Sequence, residues 1–328
     1  MSEDGKAPKP PAPSTPARDP AAEAAALAAL EQEESAQKER DLPAPAAKPK
    51  VEAVEARAPL EKHPVVRFDK VTKTYPGGFT AIKDVTFAIE DYPGRGEFVS
   101  ILGPSGCGKS TVIRLIAGLL PQFPQTSGKV LVDGKPIKGP GPDRGMVFQD
   151  YTSFDNRSVL DNVAFGLECR GVAKDERIAK AQKWIEKVGL SVKRDGDKYP
   201  HELSGGMRQR VAIARTLILE PRIILMDEPF GALDPPTRTR MQDSLVELWR
   251  EQSPTIFFIT HSIEEAVYLG DRTYVFSSCP GTILKELAVP PPDFPAKQMQ
   301  RQPEFMEIVF QIRDMVESLE SSTRAGDE

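Results

Sequence analysis

The chain has 328 residues, enough for one large domain or two of ordinary size, and a formal net charge of −5 that argues against a broad nucleic-acid-binding surface. No apolar run approaches the roughly 18 residues needed to span a bilayer, and the first residues lack the basic-then-apolar layout of a secretory signal. Cys107, Cys169 and Cys279 lie far apart and are odd in number, which excludes a metal-like spacing and points to a reduced chain without a disulfide framework.

Residues 1–62 are dominated by Ala, Pro and charged side chains. They cannot bury enough apolar surface to offset their ordering entropy, so they are expected to be a disordered extension. Within them the Ala- and Glu-rich stretch 21–40 is a candidate transient or docked helix, with a partner-binding role as the less favoured reading. From residue 63 the pattern becomes globular, with expected strands at 65–71 and 81–89. The run 97–102 reads as a buried strand and leads into Gly103-Pro104-Ser105-Gly106-Cys107-Gly108-Lys109-Ser110-Thr111, the phosphate-cradling pattern G-x-x-x-x-G-K-[ST]. Helical spacing of Val112, Leu115, Ile116 and Leu119 follows. Strand, glycine loop and helix together aim backbone N–H groups and a helix N-terminus at one anion. Lys109 is then expected at the β- and γ-phosphates of a nucleoside triphosphate, with the Ser110 hydroxyl on Mg²⁺.

Further along, 130–135 reads as a hairpin turning at Asp133-Gly134, and 144–149 as a short strand. The pattern turns helical over 159–190 and again over 206–219. Continuous apolar runs at 222–226 and 255–260 are typical of parallel strands covered on both faces. A helix between them carries Met241, Leu245, Leu248 and Trp249 on one face. This alternation predicts an α/β core with a helical insertion over about 150–218. The strand at 223–226 ends in Asp227 and Glu228, beside the phosphates if the sheet is parallel. There Asp227 could hold Mg²⁺ and Glu228 could accept a proton from the attacking water. In the tail, 290–328, Phe305, Ile308, Val309, Ile312, Met315, Val316 and Leu319 share one helical face, so an amphipathic helix is expected to pack on the domain or on a dimer mate.

The order of these elements, with Gln149 after a strand, Leu203-Ser204-Gly205-Gly206-Met207, Leu225-Met226-Asp227-Glu228-Pro229, Ala232-Leu233-Asp234 and Thr260-His261, strongly resembles the ATP-binding subunit of ABC transporters over 63–289. The resemblance implies a P-loop NTPase cassette with a mixed β core, an antiparallel β subdomain and a helical insertion, using ATP and Mg²⁺. It implies roles too. Tyr75 would be the adenine platform, since an aromatic face stacks a purine. Gln149 would sense Mg²⁺ and the attacking water, and His261 would contact the γ-phosphate. Ser204, Gly205 and Gly206 would complete the ATP site of a second cassette, and Asp234 would couple the two sites. With one phosphate loop and one such signature per chain, the implied unit is a dimer of cassettes, a homodimer or a pair of paralogues, closing on two ATP molecules.

The same resemblance implies separate transmembrane permease subunits, an extracytoplasmic solute-binding protein as indirect partner, no nucleic acid, and a peripheral position on the cytoplasmic face of the cell membrane. The permease groove should include 150–156. With 159–168, 231–234 and 262–267, this segment looks like the branch that imports nitrate, taurine, sulfonates or bicarbonate, although Asp155-Asn156 stand where that branch leads one to expect Pro-Trp. A lipid-moving or exporting system stays open as an alternative, as does, less favoured, a soluble ABC ATPase. Finally, Cys107 beside Lys109 and a helix N-terminus is in a setting that lowers a thiol pKa, so alkylation there is expected to block nucleotide binding.

Overall fold

The computed structural model describes residues 64–325 apart from residues 93, 151, 232, 290, 291 and 293, and from 319 onward the backbone alone. The expected extension 1–62 lies outside the described residues. Two sheets organise the rest. A four-stranded antiparallel sheet runs in the order β2-β1-β4-β5, from β1 (Val66–Thr74), β2 (Thr80–Ile89), β4 (Ser127–Val132) and β5 (Lys135–Pro136). The β4–β5 hairpin turns at Asp133 and Gly134, both at positive φ (49° and 70°), the pair of left-handed residues that a type I′ turn requires.

The second sheet has six strands in the order β10-β9-β3-β8-β7-β6. These are β3 (Phe98–Leu102), β6 (Arg144–Val147), β7 (Ile223–Asp227), β8 (Thr255–Thr260), β9 (Arg272–Phe276) and β10 (Ile283–Ala288). All pair in parallel except β10, which runs antiparallel to β9. Neither β9 nor β10 has a counterpart among the elements expected from the sequence.

Helices cover the sheet: α1 (Lys109–Ala117), α2 (Val159–Cys169), α3 (Lys174–Lys187), α4 (Val192–Asp195), α5 (Gly205–Leu217), α6 (Pro235–Gln252), α7 (Ile263–Leu269), α8 (Ala296–Met299) and α9 (Pro303–Ala325). The helical stretch expected over 159–190 is broken between α2 and α3, where Gly171 at φ +74° ends the first helix. The pleat divides the strand side chains between two cores. Phe98, Ile224, Met226, Ile256 and Phe258 face the helices of the insertion, α6, α7 and the C-terminal helix. Val99, Ile101, Ile223, Leu225, Phe257 and Ile259 face α1 and the antiparallel sheet. In α9, Phe305, Val309 and Ile312 are buried in the first of these cores, and Arg313 bonds Glu264 of α7 at 3.0 Å. Phe305, Ile308, Val309, Ile312 and Val316 of that amphipathic face therefore pack on their own chain.

Register fixes where the chemistry gathers. Leu102 lies opposite Thr260, and Ile259 opposite Asp227. The C-terminal ends of β3, β8 and β7 thus stand side by side, the edge at which parallel sheets hold ligands.

Candidate active site

The glycine loop joins β3 to α1, whose N-cap is Gly108 at φ +92° with no side-chain cap. The first-turn amides of α1 are therefore presented without a capping side chain, as an anion site needs. Gly108 is required on two grounds. Its φ is left-handed, and a Cβ would stand 2.5 Å from Ile82 Cγ2 and 2.6 Å from the Ala81 carbonyl oxygen. At Gly106, φ +79°, a Cβ would meet nothing within 4 Å, so the loop leaves open space on that side. Lys109 is buried, and its ammonium donates to the carbonyls of Gly103 (2.7 Å) and Pro104 (2.8 Å).

Ser110 Oγ donates to Asp227 Oδ1 at 2.7 Å, and Arg114 reaches Asp227 Oδ2 at 3.2 Å. A hydroxyl and a carboxylate oxygen at that spacing, beside a phosphate cradle, are the hard donors that Mg²⁺ takes. The fit is therefore good for a magnesium–triphosphate pair. Arg114 escaped the sequence reading, although it follows Ser110 by four residues on the same helix and so shares its face.

Glu228 begins the turn after β7 with φ +44°, a left-handed conformation that costs a non-glycine residue energy. Its Oε2 lies 3.6 Å from His261 Nδ1, with 22% of the Glu228 side chain and 61% of the His261 side chain exposed. An accessible carboxylate beside an imidazole, both at strand ends next to the phosphate loop, can take a proton from water and hold an oxyanion.

Tyr75 shares a hydrogen bond with Thr111 Oγ1 (3.2 Å), which ties the loop before β2 to the first turn of α1. The exposed Phe79 ring lies 6.3 Å away at 23° to the Tyr75 ring. A further wall comes from the β9–β10 turn. Gly281 donates its N–H to Ala81 O, accepts from Lys83 N, and approaches so closely that a Cβ would fall 1.9 Å from Cys107 O. The unforeseen strands therefore carry a turn against the phosphate loop. That turn also corrects the expectation for Cys107. The thiol is 1% exposed, and burial pushes it up from its ordinary value, with Lys109 opposing. Sealed in this way it is a poor target for alkylation.

Five other expected residues stand apart from this group. Ser204 caps α5 by accepting from Met207 N (3.3 Å), and Asp234 caps α6 by accepting from Thr237 N (3.2 Å). Hydrogen bonds from Thr237 hold the Asp234 carboxyl below its ordinary value. Gly205 faces open space, while a Cβ on Gly206 would press on Thr237 Cγ2 at 2.8 Å. Gln149 is exposed two residues beyond β6. Among the described residues no hydrogen bond or ion pair joins Gln149, Ser204, Gly205, Gly206 or Asp234 to the phosphate loop. In the expected permease groove, Tyr151 lies outside the described residues. The remainder presents Phe154, 38% exposed, against Phe165 at 4.5 Å. The Arg215 guanidinium stands 5.4 Å from the Phe154 ring centroid and the Arg157 guanidinium 4.7 Å from that of Phe165. Asn162 fixes this loop through the N–H and carbonyl of Phe154.

Comparison with known proteins agrees with this geometry. The ABC transporter family profile matches residues 82–231. The nitrate import ATP-binding protein NrtD of Synechocystis sp. is 45% identical over 251 residues, covering 75% of this chain and 91% of that protein. The taurine import ATP-binding protein TauB of Rhizobium johnstonii is 45% identical over 244 residues, 72% of this chain and 90% of that protein. Among solved structures, the ATP-binding cassette MJ0796, a dimer in a post-hydrolysis state with ADP and Pi, superimposes with a TM-score of 0.59 at 33% identity, over 69% of this chain and 99% of that one.

Proposed function

The chain belongs to the ABC transporter family of ATP-binding subunits, and from that premise we propose that it drives an importer of a small anion such as nitrate, taurine, another sulfonate or bicarbonate. It is an ATPase. The observation that carries the hydrolytic reading is the joint placement of the Ser110–Asp227 bond and the Glu228–His261 pair at neighbouring strand ends. Lys109 exchanges the carbonyls of Gly103 and Pro104 for the β- and γ-phosphates, and the amides of 106–111 complete the cradle. Ser110, Asp227 and Gln149 hold Mg²⁺, which when bound neutralises the phosphate charge. Tyr75 stacks the adenine. Glu228 takes the proton of the attacking water, and His261 steadies the γ-phosphate.

Ser204, Gly205 and Gly206 act on the nucleotide held by a second cassette, with Asp234 at the junction. Support comes from the exposure of Ser204 and Asp234, with no hydrogen bond to the chain's own phosphate loop, and from the dimeric state of the related cassette. Among the described residues no helix is long and apolar enough to cross a membrane. The transport path is therefore assigned to separate permease subunits docking at the Phe154–Phe165 patch on the cytoplasmic face of the cell membrane, with an external solute-binding protein delivering the cargo. The kinship with nitrate and taurine import subunits supports the cargo class.

Glu228→Gln tests the chemistry. Hydrolysis is expected to fall by about 10²–10⁴-fold while ATP binding persists, and a wild-type rate would overturn the general-base assignment. The same variant, tagged and recovered from solubilised native membranes with ATP, is expected to bring down a polytopic permease. Recovery of only ribosomal or DNA-bound partners would overturn the importer reading.

A further inference from the structure

Glu265 lies in the first turn of α7, four residues beyond His261, and is 7% exposed. A buried carboxylate needs partners, and this one joins three elements. Its Oε2 accepts from Thr260 Oγ1 at 2.5 Å, at the end of β8 beside His261. Its Oε1 accepts from Gln242 Nε2 on α6 at 3.2 Å and lies 3.7 Å from Arg238 Nε, one turn earlier on the same helix. Arg238 in turn donates through its other arm to the carbonyl of Leu233 at 3.0 Å. Leu233 precedes Asp234, which caps α6 through Thr237, and Thr237 is the residue against which Gly206 packs. The first two turns of α6 thus meet Asp234 and Gly206, two of the groups proposed to act on a partner's nucleotide, and Glu265 ties those turns to the strand end that bears His261.

The Arg238–Glu265 approach is slack. Arg238 Nε is buried and makes no hydrogen bond, so the ion pair has room to shorten into one.

We propose that Glu265, through Arg238 and Gln242, is a positioning residue that couples the hydrolytic edge of one nucleotide site to the segment serving the other site of the dimer. This rests on the division of roles given under the proposed function. Movement of His261 on γ-phosphate contact would pull Thr260 and Glu265, and Arg238 would carry the displacement to Leu233 and Asp234. Glu265 touches no reacting atom, so its loss should uncouple the sites and leave the binding of nucleotide by each chain intact.

The test is ATPase activity against ATP concentration for the full chain and for Glu265→Gln, Arg238→Gln and the double variant, with ATP binding measured on dilute monomer. The Hill coefficient of the wild type should approach about 2, the number of sites, and fall to about 1 in each variant. Monomer ATP affinity should stay within about twofold, and the double variant should fall no further than the singles, as expected for residues on one path. If Glu265→Gln fails to fold by circular dichroism, Arg238→Gln and Gln242→Leu carry the measurement. An unchanged Hill coefficient in the variants, or a wild-type coefficient near 1, overturns the coupling. Glu228→Gln separates the two failures. If it is inactive while the variants stay cooperative, the coupling alone is wrong; if it hydrolyses at the wild-type rate, the site reading falls and the coupling with it.

Discussion

Lys109 stands ready within the loop it serves, its charge held by two backbone carbonyls. On the proposed reading, nucleotide arrival would exchange those partners for phosphate oxygens, so Lys109→Ala is expected to weaken ATP binding by well over tenfold, read by equilibrium titration. Gly108→Ala should do as much by a different route, because the added methyl meets the Ala81 carbonyl and the backbone leaves its left-handed well. Asp195 has a structural role instead. Burial alone would raise its carboxyl, but Lys198 at 2.7 Å, Arg194 at 3.3 Å and the Ser191 amide bring it from 3.8 down to about 2. A folded-state value below the unfolded one stabilises the fold above about pH 4 and loses that contribution as the pH falls through about 2. Asp195→Asn should therefore lower Tm at pH 7, with the gap to wild type closing towards pH 2 in thermal melts.

Among the elements, the β9–β10 turn is the most consequential addition to what the sequence conveyed. Gly281→Ala would set a methyl 1.9 Å from the Cys107 carbonyl, so the phosphate loop must shift and ATP affinity should drop, measured by the same titration. Those strands were hard to read for physical reasons. β9 is five residues and starts on Arg272, and β10 is an edge strand carrying Lys285 and Glu286 with no buried residue. The central strands were legible because β7 and β8 are buried on both faces and read as unbroken apolar runs. The phosphate loop was legible because it needs glycines at fixed places. Arg114 and Glu265 were not, since a buried ion pair is a matter of which elements meet. Cys107 failed in the same way: its neighbours along the chain suggested an activated thiol, and its burial in the core that also holds Phe276 reverses that.

At the scale of the molecule, one sheet separates two cores. Phe258, fully buried on the face towards the insertion, is expected to cost about 3–5 kcal/mol when replaced by Ala, measured by denaturant titration. The face towards α1 should respond alike to Phe257→Ala. The phosphate loop and the Ser204 signature occupy separate elements with no bond between them, so a lesion in either leaves the other whole. Lys109→Ala and Ser204→Arg should each be inactive alone. Mixed in equal amounts they should complement, since half of randomly formed pairs contain one intact site, giving about a quarter of wild-type hydrolysis if the sites fire independently and far less if they must fire together. In a cell producing both a sound and a defective copy of this subunit, every mixed pair carries a damaged site, and where the two sites must fire together about three quarters of randomly formed pairs are silent, so that a single altered allele would behave as dominant.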